Sequence, residues 1–160
     1  MTERAEDIRI RQAGAEDLDR VLALVPQLVA FGPPPWRNVR QMIETDRLVI
    51  AGTLQGTSTR AIVLVAEDVG GELAGFIHLC VEVDYYTRKE CTHIADIVVA
   101  PEARGRGIGE MLLAKAEEWA RARGHSLLSL NVFIENARAR TLYERTGFSA
   151  ETMRYVKNLR

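Results

Sequence analysis

The chain opens with alternation. Ile8-Arg9-Ile10-Arg11 puts apolar and charged side chains on opposite faces, the two-residue period of a strand. The period then changes. Leu18, Val21, Leu22, Leu24, Val25 and Leu28 recur at three- and four-residue steps, which predicts a helix over 17–30 that Pro26 weakens or kinks. Phe31-Gly32-Pro33-Pro34-Pro35-Trp36 is a rigid break. A second helix is expected over 37–45, extending toward Ile50, and then a mobile polar loop over 52–59. Residues 61–67 and 73–83 read as strands joined by a turn at Val69-Gly70-Gly71-Glu72, and 92–99 as a further strand. A long helix follows over 107–123, capped by Gly124. Then come a strand over 126–133, a helix over 136–145 closed by Thr146-Gly147, and a final strand or hairpin over 148–159. The order βααβββαβαβ predicts one α/β domain across 1–160, a central mixed, mostly antiparallel sheet with helices on both faces.

Composition narrows the classes. The chain has 160 residues, 47% hydrophobic and 27% charged, with a formal net charge of -1. That length supports a buried core, and that charge gives no general reason to bind nucleic acid. Arg104, Arg106, Arg121, Arg123, Arg138 and Arg140 concentrate positive charge, mostly as solvated helix faces. No apolar run approaches the ~20 residues of a membrane span, and residues 1–7 lack the apolar centre of an export signal. Cys80 and Cys91, close across a turn near Tyr85-Tyr86, are expected as reduced thiols. No His/Cys cluster has zinc spacing. A cytoplasmic, metal-free protein that meets neither membrane nor nucleic acid is expected, with a homodimer left open.

The densest chemistry lies where the strand Val98-Val99-Ala100-Pro101 runs into Arg104-Gly105-Arg106-Gly107-Ile108-Gly109 and then a helix. Unpaired N–H groups at a helix start favour an anion. Two phosphate motifs fail the spacing test. A dinucleotide fingerprint needs its third glycine where Glu110 stands, and a P-loop needs Gly-Lys-Ser/Thr from that same position. What remains is Arg-x-x-Gly-x-Gly at Arg104, Gly107 and Gly109. Between a strand ending Val-x-Pro and a helix, it resembles the coenzyme A pyrophosphate loop of the Gcn5-related N-acetyltransferases, the GNAT family. Asn131-Val132 leading to Asn136-x-x-Ala139-x-x-Leu142-Tyr143-x-x-x-Gly147-Phe148 resembles that family's final signature. The two motifs cover about 94–150; the first half matches in element order alone.

The resemblance implies acetyl transfer from acetyl-CoA to a primary amine of a small molecule or an exposed protein amine, by direct attack and without a metal. The thioester would lie between the strands at 92–99 and 126–133, held by the backbone of Ile97, Val98 and Val99. The loop of Arg104, Gly105, Arg106, Gly107, Ile108 and Gly109 would hold the pyrophosphate, its glycines removing Cβ atoms from the ligand's path. Tyr143 would be the general acid for the departing thiolate. Asn136 caps the last helix and would also bond the pantetheine arm. The base stays open. Ala95 stands where many members carry glutamate. Asp96 is preferred, with His93, Glu82 or no side-chain base as alternatives. Regular alternation would set Ile94, Asp96 and Val98 on one face and His93, Ala95, Ile97 and Val99 on the other. His78, Cys80, Glu82 and Asp84 share a face that could line the acceptor pocket. The aromatic joint at 31–36, together with Tyr85, Tyr86 and Arg88, would close it. A second class is a coenzyme-A-binding sensor or interaction domain without turnover, which Ala95 permits and Tyr143 opposes.

Overall fold

Among the described residues, five strands form one sheet in the order β1-β2-β3-β4-β5: β1 (Arg9–Gln12), β2 (Ala61–Glu67), β3 (Leu73–Val83), β4 (Glu90–Val99) and β5 (Leu128–Leu130). The structure is a computed structural model and describes residues 7–56 and 58–160; the charged stretch at 1–6 and Thr57 of the polar loop lie outside them. The first four strands pair antiparallel with their neighbours, and β5 pairs parallel to β4. A parallel neighbour needs a crossover, which α3 (Ile108–Ala122) supplies.

Both faces of the sheet are covered, so β2 and β3 read as nearly continuous apolar runs. On one face Ile77, Leu79 and Ile94 pack with Ile108, Leu112, Leu113 and Ala116 of α3 and Tyr143 of α4 (Ala137–Arg145). On the other, Val63, Val65, Phe76 and Val98 pack with Val21 of α1 (Leu18–Leu24) and with Ile50 and Leu54 of α2 (Val39–Leu54). The expected α/β architecture, with helices on both faces of a mixed sheet, is what forms.

Local chemistry sets the differences at the ends. The helix expected over 17–30 divides into α1 and a 3₁₀ segment, Val25–Val29, because Pro26 has no N–H for the carbonyl a turn behind it. The α2 helix begins after Asn38, whose side chain accepts from the N–H of Gln41, and it runs through Gly52 to Leu54, into the segment expected as loop. Strand β5 is three residues long, not eight, because 131–133 turn away to line a cleft. The last expected strand does not form. Residues 149–160 are irregular and exposed; their apolar positions run Met153, Tyr155, Val156, Leu159, which loses the two-residue period a strand needs.

One buried charge network ties β1 and β2 to α1. Asp17 is fully buried and accepts from Arg11 at 2.8 and 2.9 Å, from Arg20 at 2.6 Å and from the N–H of Gly14 at 3.0 Å. Arg11 also donates to Glu67 at 2.9 and 3.1 Å. Asp17→Ala leaves two guanidinium groups without their shared acceptor and should cost about 3 kcal/mol in urea unfolding at pH 7. Arg11 holds the Asp17 carboxyl well below the usual carboxylate range, against the opposing effect of burial. A depressed folded-state value means the contribution is complete above the unfolded value of ~3.9 and is lost as pH falls through the folded value. The gap between wild type and variant should therefore stay constant from neutral pH down to about 4, then narrow. A difference under about 1 kcal/mol at pH 7 would reduce the network to an ordinary surface ion pair.

Candidate active site

The site begins where β4 leaves β5. Thr92, His93 and Ile94 pair with Leu128, Ser129 and Leu130, and the parallel ladder ends there. Opposite β3 the register slips at the same place: His78 faces Asp96, Leu79 faces Ile94, and Ala95 is the bulged residue between them. Beyond the bulge β4 pairs with β3 alone, so the β5 side of 96–99 borders open space. That space is a cleft of about 1320 Å³, lined by Ala95, Asp96, Ile97, Val98 and Val99, by the start of α3, by Asn131, Val132 and Phe133, and by α4.

The bulge corrects the regular alternation. Ile94 lies on the α3 side with Ile97 and Val99, whereas Asp96 lies opposite His78 on the α2 side. His93 lies opposite Cys80 on that same side, so His93 and Asp96 share a face instead of facing apart. One inserted residue reverses every side chain before it relative to those after it.

At one end of the cleft, a 3₁₀ turn (Pro101–Ala103) leads into the glycine-arginine loop. Gly105 and Gly107 take left-handed backbone angles, φ +78° and +76°, and Gly107 is the N-cap of α3. The N–H of Met111 makes the first α-helical bond, to the carbonyl of Gly107, so the N–H groups of Ile108, Gly109 and Glu110 have no partner within the helix. Gly105, Gly107, Ile108 and Gly109 all border the cleft, as does Arg104, whose guanidinium reaches Gln27 at 3.3 Å. Arg106 is not part of the cleft wall, and its Nε and Nη2 atoms are buried. Gly109 also faces α4: a Cβ there would stand 2.9 Å from a methyl of Leu142, which would have to shift.

Helix α4 forms the opposite wall. Asn136 caps it by accepting from the N–H of Ala139 at 3.2 Å, and it also borders the cleft. Tyr143 is 8% exposed, packs edge-on against Phe148 at 5.8 Å and reaches the cleft. Burial, and then the negative charge of Asp96, push its phenol up to about 12. The phenol therefore keeps its proton at neutral pH, the state a proton donor requires.

At the far end Asp96 lies on the α2 side of the sheet. His78, 2% exposed, bonds Asp96 Oδ2 through Nδ1 at 3.0 Å and Thr53 Oγ1 of α2 through Nε2 at 2.9 Å. Asp46, also on α2, borders the cleft, and burial followed by the charge of Asp96 raises its carboxyl to about 6. Phe31 stacks on Phe133 at 5.3 Å, and both line the cleft with Trp36. The opposite hairpin does not take part: Tyr85, Tyr86 and Arg88 are exposed and lie outside the wall.

Of the three candidate bases, only Asp96 stands in the cleft wall. His93 bonds Ser129 at 2.9 Å, and Glu82, 3.7 Å from His93, is half-exposed. The cysteines are free thiols; Cys91 lies opposite Glu82, not Cys80. Burial, with acidic neighbours, pushes Cys80 up to about 11 and raises Cys91 as well, which keeps both from acting as thiolates. Asp46 and Thr53 escaped the sequence reading. Their seven-residue spacing puts them on one helix face, but nothing in the order of residues says which face of α2 meets β3. No helix among the described residues is long and apolar enough to cross a membrane.

This geometry has well-matched relatives. The family model described as "Acetyltransferase (GNAT) family" matches residues 29–148. An uncharacterised N-acetyltransferase of Bacillus subtilis, YhfO, is 34% identical over 91% of this chain and 92% of its own. The aminoalkylphosphonate N-acetyltransferase of Salmonella typhimurium is 30% identical over 98% and 97%. Among solved structures, a Pyrococcus furiosus protein described as an acetyl transferase superposes with a TM-score of 0.77 at 28% identity, covering 95% of this chain and 99% of its own. On these matches and on its fold, the chain belongs to the GNAT acetyltransferase family and is an acyltransferase.

Proposed function

We propose that the cleft binds acetyl-CoA along β4 and the start of α3, and that an amine entering from the α2 side attacks the thioester directly. The observation that carries this reading is continuity. One cleft joins unpaired helix-start N–H groups, the free edge of β4, a protonated Tyr143 and the carboxylate of Asp96. Acetyl-CoA supplies the activated acetyl group. The N–H groups at 108–110 and the loop at Arg104 hold its pyrophosphate, and the main chain of Ile97, Val98 and Val99 holds its pantetheine arm together with Asn136. A main-chain N–H of β4 stabilises charge developing on the carbonyl oxygen. Asp96 takes the proton that the amine must lose before it attacks, Tyr143 gives its proton to the sulfur as the C–S bond breaks, and the second proton that nitrogen sheds on becoming an amide restores the phenol. The Salmonella relative is named for aminoalkylphosphonates. The acceptor class here is a primary amine of a small molecule or an exposed protein amine.

Thiol release from acetyl-CoA across a panel of primary amines tests the reading. Amine-dependent release is the expected result. Tight binding of acetyl-CoA with no release from any amine would favour the sensor reading instead. A binding prediction accompanies it. Gly107→Leu forces a side chain into the left-handed conformation at the N-cap of α3 and tilts the N–H groups that face the phosphates. Calorimetry should show acetyl-CoA affinity at least about tenfold weaker, with the fold retained, since a Cβ at this position meets no atom within 4 Å. Unchanged affinity would remove the loop from the site.

A further inference from the structure

The cleft explains Asp96 as a wall residue but not what lies behind it. His78 is buried in the middle of β3, directly across from the bulge, at a position where an apolar side chain would suit the core made by Val63, Val65 and Phe76. It has two partners. Nδ1 is 3.0 Å from Asp96 Oδ2, and Nε2 is 2.9 Å from Thr53 Oγ1. Those partners select the tautomer. A lone pair on Nδ1 facing a carboxylate oxygen is repulsive, so Nδ1 carries the proton and donates it to Asp96. In the neutral ring Nε2 is then an acceptor, and the Thr53 hydroxyl donates to it. The carbonyl of Val49, 3.5 Å from the same hydroxyl, is the weaker acceptor.

We propose that His78 is a positioning residue. Held by Thr53 of α2, it binds Oδ2 of Asp96 and so fixes Oδ1 as the oxygen offered to the acceptor amine. The inference rests on the role given to Asp96 under the proposed function. The bulge at Ala95 makes the arrangement possible, because it brings Asp96 opposite His78 on the α2 side after Ile94 has pointed to the α3 side. Without an anchor the carboxylate would rotate about its last bond, and the productive orientation would be only one of several. With the anchor, that ordering cost is met during folding instead of at each turnover. The device also ties Asp96 to the helix that carries Asp46, so α2 and the proton-accepting oxygen keep one geometry relative to the amine.

Two measurements test this on the full chain. Nitrogen NMR of the histidine rings needs no acceptor. His78 should show the Nδ1–H tautomer with an unprotonated Nε2 that accepts a hydrogen bond, and Thr53→Val should move the Nε2 signal. An Nε2–H tautomer would overturn the proposal. The second measurement is kinetic, with acetyl-CoA and whichever primary amine of the panel gives thiol release. His78→Leu should lower kcat about tenfold or more while the KM for acetyl-CoA stays within about twofold. His78→Asn, which keeps a donor near the place of Nδ1, should recover much of the loss. Thr53→Val, a smaller change at the far end of the chain of bonds, should cost a few-fold and serves if His78→Leu does not fold. In an Asp96→Asn background, His78→Leu should add little, since no carboxylate remains to be held. If Asp96→Asn is slow but His78→Leu is not, or if the two losses add in full, the positioning role fails and the role of Asp96 survives. If Asp96→Asn turns over like wild type, both fall together. If His78→Asn is as slow as His78→Leu, the histidine is a packing residue.

Discussion

Tyr143→Phe should fold, bind acetyl-CoA with wild-type affinity and turn over about 10²-fold more slowly. Each part has its own reason. The ring is 8% exposed and packs against Phe148 and the α3 core, contacts that phenylalanine keeps. The hydroxyl makes no hydrogen bond to another of the described residues, so removing it leaves no buried group unsatisfied and should cost little stability. The phenol faces the cleft with its proton held up to about 12 by burial and by Asp96, and it is the only part of the side chain that can protonate a departing sulfur. A coenzyme A thiolate leaving without that proton must carry its charge into a site already facing Asp96, which raises the barrier to C–S cleavage. Circular dichroism and calorimetry check fold and affinity, and thiol release over a range of pH checks the rate. Wild-type turnover in the phenylalanine variant at every pH would return Tyr143 to packing alone.

The parts of this site that sequence could show are those built by near neighbours. The loop at Arg104 to Gly109 is legible as a candidate anion site because a strand, a turn and a helix follow one another, and unpaired N–H groups at a helix start need only their adjacency. Tyr143 and Asn136 are legible as candidates because one lies on a short helix and the other caps it. The faces of β4 were not, since the bulge at Ala95 comes from pairing with β3 and leaves no mark in the residues of β4 themselves. Gly109 has a second neighbour besides the cleft, Leu142, thirty-three positions on, which only helix packing brings near. Asp46, Thr53 and His78 needed the contact of α2 with the sheet, again a tertiary fact. Strand β5 and the irregular 149–160 show the same limit from the other direction. Apolar residues there predict regular structure, but among the described residues no strand pairs with them beyond Leu130.

Asp96→Asn should bind acetyl-CoA normally, turn over slowly at neutral pH and recover part of its rate as pH rises. Asparagine keeps the shape and still offers an oxygen to His78 Nδ1–H, so the fold around the bulge is preserved. What it loses is the capacity to take a proton. An alkylamine with a pKa of ~10 is almost wholly protonated at pH 7 and cannot attack until that proton leaves. In wild type the carboxylate accepts the proton inside the cleft. In the variant only amine already deprotonated in solution can react, and that fraction grows about tenfold per pH unit until it saturates near the amine's own pKa. The deficit should therefore be largest near neutrality and shrink toward pH 10. Asp46 gives a second reading of the same substitution. Burial and the charge of Asp96 raise its carboxyl to about 6; removing the charge takes away the smaller of the two causes, so any acidic limb due to Asp46 should move to lower pH. The pH–rate profile of the two proteins with a working amine decides the matter. If the profiles coincide while a Glu82 or His93 variant shifts its own, the proton leaves by another route and Asp96 serves to hold His78 and the bulge in place.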